Sequence, residues 1–359
     1  INSSSYLNTP YFFAIAENKD LTFSPRFYSG EKYLFQTEYR QANLRSNHIS
    51  DFSFFREKKG NNNNHFFYKF DKILNFEKFE RSNIDLKLQN TSDQTYLKKN
   101  KIKSKLIDDF DVMENSLKLN LYSNDFSINV ETTAYEDLNK NNSDKYEFIF
   151  PKIDLVKKVE NKTSLNGNFL FESKNLIRNY NTNIFERSNI NDLIFTSYPK
   201  ITGKGFYNNY EFLIKNSNSH GKKSKDFKDG ENLYVSGLLQ LNSSLPLIKE
   251  RENHKNILKP KLSFKVAPSH TKDYKSDENI FNVNNIFSIN RISKNDTIEG
   301  GISLAYGADY LIVDKDDNRE ILSFKVANNF RLNENRDLSH SYQIGQKTSN
   351  FFTETILNP

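Results

Sequence analysis

The chain of 359 residues contains no cysteine, no tryptophan and one methionine, with only 12 glycines and 8 prolines. Without cysteine it can form neither a disulfide nor a thiolate metal site, although this does not identify a compartment. No window approaches the ~20 apolar residues of a membrane-spanning helix, so any passage through a membrane must be made by strands. The opening "INSSSYLN" has neither the basic region nor the apolar core of a signal peptide. Motifs that carry chemistry are missing as well. There is no Gly-x-Ser-x-Gly elbow and no glycine-rich phosphate loop. His48, His65, His220, His254, His270 and His340 fall in expected loops or strand ends without a ligand spacing such as His-x-x-x-His, so no metal or other cofactor is assigned. The paired carboxylates Asp108-Asp109 and those of "DKDD" (314–317) sit in polar spacers. No enzyme is expected.

What the chain does have is aromatic residues: 31 Phe and 19 Tyr within a hydrophobic fraction of only 36%. Large apolar groups without apolar runs imply alternation, and period 2 recurs along the sequence while helical period hardly appears. In "YLFQTEYR" (33–40), Tyr33, Phe35, Thr37 and Tyr39 take one face and Gln36, Glu38 and Arg40 the other. In "NSLKLNLYSNDFSINVETTAY" (115–135), Leu117, Leu119 and Leu121 lead into a Ser123-Asn124-Asp125 turn, and Phe126, Ile128 and Val130 return. Some 16–18 such segments, about as many as a large barrel needs, follow one another as adjacent antiparallel hairpins. The expectation is an all-β meander in one domain. The formal charge of +6 is spread over patches such as "LKKNKIKSK" (97–105) and "HGKKSKDFKDG" (220–230), which read as solvated loops. Acidic residues interrupt the second, and neither interleaves aromatics in a basic stripe, so no nucleic-acid partner is expected.

Alternation alone leaves two architectures open. A soluble sandwich or propeller would bury the apolar face, whereas an outer-membrane barrel would turn it to lipid and keep a polar lumen. Tyrosines gathered near strand ends and mixed charges on the polar faces favour the barrel. The first strands then pose a problem, because Pro10 and Pro25 each lack the N–H that a ladder uses.

The stretch "LNTPYFFAIAENKDLTFSPRFYSGEKYLFQTEYR" (7–40) resembles the first barrel strands of the lipopolysaccharide-assembly family LptD, through Pro10, Tyr11, Phe12, Ile15, Ala16, Asn18, Asp20, Thr22, Pro25, Tyr28 and Glu38-Tyr39-Arg40. "NIDLKLQNTSDQTYL" (83–97) is similar to a family strand followed by Ser-Asp-x-x-Tyr. "LKPKLSFKVAPSHTKD" (258–273) and "NIFSINRISKNDTIEGGISLAYG" (285–307) resemble later family segments, with Asn290 where an Asp is more frequent. The resemblance implies a large antiparallel transmembrane β-barrel of meander topology. It makes residues 1–359 part of a C-terminal barrel domain, with the periplasmic N-terminal β-jellyroll and the final barrel strands outside this chain. It further implies a site in the cell outer membrane, insertion of lipopolysaccharide through a lateral gate, a plug lipoprotein of the LptE type, and contact with the bridge protein LptA through the jellyroll. On that reading Pro10, Tyr11, Phe13 and Pro25 belong to the gate, and Gln36, Glu38 and Arg40 face the lumen. A passive porin or receptor barrel, or a soluble β-rich glycan-binding protein, are the competing expectations.

Overall fold

Alternating aromatic and β-branched residues favour extended backbone because each large side chain then packs on one face while its neighbours reach the other. A computed structural model describes residues 5–29, 31–58, 60, 62–275, 281–292 and 294–358. Residues 1–4 of the opening, Lys59 and Asn61 of the spacer 56–65, and Ser293 of the segment 285–307 lie outside the described residues. The strands run as β1 (Tyr6–Asn8), β2 (Tyr11–Ala16), β3 (Lys19–Tyr28), β4 (Lys32–Asn43), β5 (Ser46–Glu57), β6 (Asn63–Ile73), β7 (Arg81–Thr91), β8 (Val112–Tyr122), β9 (Phe126–Asp137) and β10 (Tyr146–Val159). They continue as β11 (Gly167–Tyr180), β12 (Ile184–Ser197), β13 (Lys200–Ile201), β14 (Tyr207–Lys222), β15 (Gly230–Ser244), β16 (Leu247–Glu250), β17 (His254–Ala267), β18 (Gly301–Asp314), β19 (Glu320–Arg331) and β20 (Phe352–Leu357). Among the described residues the one α-helix, α1, is a single turn, Tyr96–Lys99.

The chain divides into two compact units. The first comprises Ile1–Val156, Lys174–Asn189 and Ser219–Glu231; the second comprises Lys157–Ser173, Ile190–Asn218 and Asn232–Pro359. In the first, β3 to β9 pair antiparallel with their neighbours in chain order, from Pro25↔Phe35 through Phe52↔Phe66 to Leu119↔Val130. The expected hairpin at Ser123-Asn124-Asp125 is present, closed by Ser123 N donating to Phe126 O at 2.7 Å. β1 and β2 both lie on β3 in one register (Asn8↔Arg26, Tyr11↔Phe23), so they are a single strand interrupted at Thr9-Pro10. In the second unit β17 pairs with β18 along its whole length, β18 with β19, and β19 with β20. β15 and β16 share β17, and β12 and β13 share β14. Among the described residues, taking three such interrupted pairs as single strands reduces the twenty strands by three, to seventeen, inside the expected range. Among the described residues β2 pairs with β3 alone and β20 with β19 alone, which leaves a free ladder edge on each.

The buried cores are small and lie between the sheet and segments folded against it. In the first unit Tyr96, Leu97, Ile102 and Leu106 of the β7–β8 connection pack on Leu34, Phe67 and Met113. This corrects the expectation of a solvated loop at 97–105. Its lysines reach outward, Lys98 pairing with Asp111, while the apolar residues between them anchor the backbone against the sheet. In the second unit Phe281, Val283, Ile286 and Ile292 of the β17–β18 connection cover Ala305, Ala327 and Phe352.

Candidate functional site

Residues directly opposite each other in antiparallel strands share a face, so the registers sort every side chain to one side. On one face of the first unit, rows such as Phe52↔Phe66, Tyr68↔Leu88, Leu86↔Leu117 and Leu119↔Val130 are almost wholly apolar, with Phe52 45% and Phe66 44% exposed. The opposite face carries Asp51, Ser53, His65, Gln89, Ser116 and Thr133, all buried. The second unit repeats the inversion. Leu262, Phe264, Tyr306 and Phe330 are exposed, while Ser263, Lys265, Ser303, Asn329 and Arg331 are buried. A sheet that hides its polar face and presents its apolar face is unstable in water, where exposed apolar surface costs ~25 cal/mol per Å². In a bilayer the same arrangement is favourable.

Three polar assemblies stand on the buried face or at its edge. The first lies under the α1 segment. Gln36 donates to both Asp51 carboxylate oxygens (3.1 and 3.0 Å) and to Lys103 O at 2.9 Å. Arg26 Nη1 donates to Asn100 O at 2.8 Å, and Arg26 Nη2 to Gln36 Oε1 at 3.3 Å. His65 bridges Asp51 Oδ1 (3.1 Å) and Ser53 Oγ (2.5 Å), and Ser53 in turn meets Tyr96 OH at 2.7 Å. Ser53, His65 and Asp51 have the order of a nucleophile, base and acid. All three are 0% exposed and Tyr96 covers the hydroxyl, so the assembly holds the segment against the sheet and offers no access to a substrate. Burial pushes the Tyr96 phenol up to about 12.

The second assembly is in the second unit. Glu299 accepts two hydrogen bonds of 2.5 Å from Arg291 and another from Arg331, and lies 3.9 Å from Lys265 Nζ. Burial pushes the Glu299 carboxyl up, but Arg291, Lys265 and Arg331 outweigh it and hold the group well below the usual carboxylate range. Backbone carbonyls take the remaining donors: Lys265 Nζ reaches Ser288 O and Ile289 O at 2.9 and 3.1 Å.

The third is the edge built by β1, β2 and β3. Thr9 N donates to Pro25 O at 3.2 Å, which makes Thr9 and Pro25 a hydrogen-bonded pair. Pro25 cannot return the second bond to Thr9 O. Alternate residues of a strand bond to opposite neighbours, so the missing N–H of Pro10 faces the free edge instead. Two adjacent ladder lines each lose a donor within one cross-strand step.

The expected site residues are distributed accordingly. Tyr11, Phe13 and Pro25 share the apolar face by register, with Tyr11 and Phe13 exposed, whereas Pro10 lies at the break and on the polar side. Gln36, Glu38 and Arg40 share the polar side: Gln36 is buried, and Arg40 Nε meets Asp20 at 2.8 Å and Glu38 at 3.6 Å. Asp20 is in β3 as the partner of Arg40. His48 and His65, expected in loops or strand ends, are in β5 and β6. The cluster of Arg26, Asp51, Ser53, His65 and Tyr96 was not expected. Its signal was "DFSFF" (51–55), where Asp51 and Ser53 alternate with Phe52 and Phe54.

The family model for LPS transport system D, LptD, matches residues 63–356. The chain belongs to the LptD family. No curated protein matches the chain. LptD is an outer-membrane β-barrel component of lipopolysaccharide transport and not an enzyme, which accounts for the inverted faces and for a polar network without an open nucleophile. The matched residues include both segments folded against the sheet, the first buried polar assembly in part and the second whole. They begin at β6, so Pro10, Tyr11, Phe13, Pro25, Gln36, Glu38 and Arg40 all precede them.

Proposed function

We propose that residues 1–359 form part of the wall of a barrel domain that inserts lipopolysaccharide into the outer leaflet through a lateral gate, one edge of which is the interrupted strand β1–β2 with β3. The observation that carries this reading is the pair of absent ladder donors at Pro10 and Pro25 on successive seams. In lipid an unmade backbone bond has no water to replace it, so each proline weakens its seam by roughly 1 kcal/mol or more. Tyr11 and Phe13 meet outer-membrane lipid beside the seam. Gln36, Glu38 and Arg40 line the lumen side past which the glycan travels. A plug lipoprotein of the LptE type fills the lumen, and LptA delivers lipopolysaccharide through a periplasmic domain of the complete protein.

The test is the double substitution Pro10→Ala with Pro25→Ala in the complete protein. Two restored donors strengthen the seams by ~2 kcal/mol together, which lowers an open population roughly 30-fold. The expected outcome is normal barrel abundance with slowed arrival of lipopolysaccharide at the cell surface and greater sensitivity to large hydrophobic antibiotics. Unchanged delivery at equal abundance refutes the gate. Copurification with a plug lipoprotein tests the partner and separates this reading from a passive porin.

A further inference from the structure

β7 and β8 are hydrogen-bonded neighbours, and a two-residue turn would be enough to join them. Their connection, residues 92–111, instead runs back over the polar face as far as β3, four strand spacings or about 19 Å from β7. Strands along the way tie it down. Gln89 of β7 donates to Leu106 O at 2.6 Å, Phe67 of β6 packs against its apolar residues, Ser53 of β5 meets Tyr96 OH at 2.7 Å, and Gln36 of β4 donates to Lys103 O at 2.9 Å. The last tie is at the broken edge. Arg26 of β3 follows Pro25, stands opposite Asn8 at the end of β1, and donates to Asn100 O and Lys101 O at 2.8 and 3.4 Å. Its guanidinium also lies 5.7 Å from the centre of the Tyr6 ring in β1. One side chain therefore joins β1, β3 and the connection at the seam where Pro25 leaves a ladder bond unmade.

Charge distinguishes this connection from the other inner segment. Residues 281–300 are held by Glu299 among three cations, and such an arrangement resists release because a departing partner leaves bare charge in a buried place. Arg26 is held otherwise. Among the described residues it has no carboxylate partner; its acceptors are two backbone carbonyls and the Gln36 amide oxygen, and its Nε has none. Water replaces a carbonyl acceptor at little cost, so these bonds can part and re-form. We propose that the β7–β8 connection is a releasable strap on the proline-broken edge, with Arg26 as its latch: bound, it holds β1 and β3 together, and released, it frees them to separate. The assignment rests on the reading that this edge is one side of a gate. It adds the element that controls the gate from the lumen side.

The experiment follows amide hydrogen exchange, segment by segment, in the complete protein with its plug partner in lipid vesicles. In Arg26→Met, residues 97–106 and 6–16 should both exchange at least tenfold faster, the effect of one lost hydrogen bond to a charged donor, while 281–300 keep the parent's rate. Arg26→Lys, which keeps the charge without the fork, should fall between. Arg26 touches β1 directly, so the decisive variant is Gln89→Leu, which cuts the far end of the strap four strands from the edge. It should speed exchange in 97–106 and, at least threefold, in 6–16, because coupling between two sites is felt from either end. Exchange in 6–16 at the parent's rate in either Arg26→Met or Gln89→Leu would overturn the proposal. Equal acceleration of 281–300 would overturn it too, since that is general loosening. The gate is tested separately by the proline variant. Slowed delivery in that variant, with 6–16 unmoved in Gln89→Leu, refutes the strap and leaves the gate standing. Unchanged delivery there, with 6–16 accelerated in Gln89→Leu, refutes the gate and leaves the strap coupled to the edge.

Discussion

Glu299 is one carboxylate among three buried cations, and Glu299→Gln tests what its charge holds together. The glutamine keeps the shape and two hydrogen-bonding atoms but removes the charge that Arg291, Arg331 and Lys265 share. At an effective dielectric of about 20, each unit pair near 4 Å is worth about 4 kcal/mol, so three such pairs, about 12 kcal/mol, match the whole stability of a domain if counted alone. The net is smaller because carbonyls of Ile286, Ser288, Ile289 and Gly300 also receive the cations' donors and remain after substitution. Breaking a buried pair by removing one partner costs ~3–5 kcal/mol, and that is the expected loss here. It should appear as release of residues 281–300 from β17, β18 and β19, since the two arginines and the lysine tie that segment to the strands. The assay is urea unfolding of the complete protein in lipid vesicles, together with the rate of protease cleavage inside the segment. Glu299→Asp, which keeps the charge, should lose less than half as much. Adding Lys265→Met to Glu299→Gln should recover part of the loss, because one uncompensated cation is then gone. A Glu299→Gln protein within ~0.5 kcal/mol of the parent, the range of an ordinary surface change, would refute the argument that the carboxylate holds the cluster together.

Two further outcomes follow from the first unit. The Tyr96 phenol, raised to about 12 in the fold against about 10 in an unfolded chain, contributes stability that is fully present below pH 10 and lost as pH rises through 12. The loss amounts to about 2–3 kcal/mol, and unfolding curves between pH 9 and 12 should show it in the parent and not in Tyr96→Phe. Phe66→Arg places a charge on the apolar face and should cost ~2–4 kcal/mol in vesicles if that residue sits near the bilayer midplane. Folding yield of the variant in vesicles measures it, and an unchanged yield would contradict the assignment of that face to lipid.

The strand meander was legible because period 2 is a local signal. Leu117, Leu119 and Leu121 alternate with Lys118 and Asn120 whatever surrounds them, and the register then carries the alternation across to Val130 and Ile128. Which face would be buried was not legible from the pattern. Phe52 beside Asp51 and Ser53 reads equally as a core residue of a soluble sheet or as a lipid-facing residue of a barrel. The answer depends on which medium lies on each side, a property of the assembled sheet.

The polar assemblies were hidden for a related reason. Arg26 lies 74 residues from the Asn100 carbonyl that it holds, and Arg331 lies 32 from Glu299, so neither pairing leaves a spacing in the sequence. The segment 97–105 shows how charge count misleads. Five lysines outnumber Leu97 and Ile102, yet those two, with Tyr96 and Leu106, decide where the backbone goes. Lysine stems can leave a buried backbone and carry their charge outward, whereas an isoleucine has no polar end to expose. Once the backbone is drawn in, its carbonyls at Asn100, Lys101 and Lys103 need donors, because a buried unpaired carbonyl costs about as much as a lost hydrogen bond. Arg26 supplies two of them from β3, the strand that carries Pro25, and Gln36 supplies the third from β4 beside it. The residue next to Pro25 in sequence, Arg26, therefore holds the inner segment, and a change at one should be felt at the other.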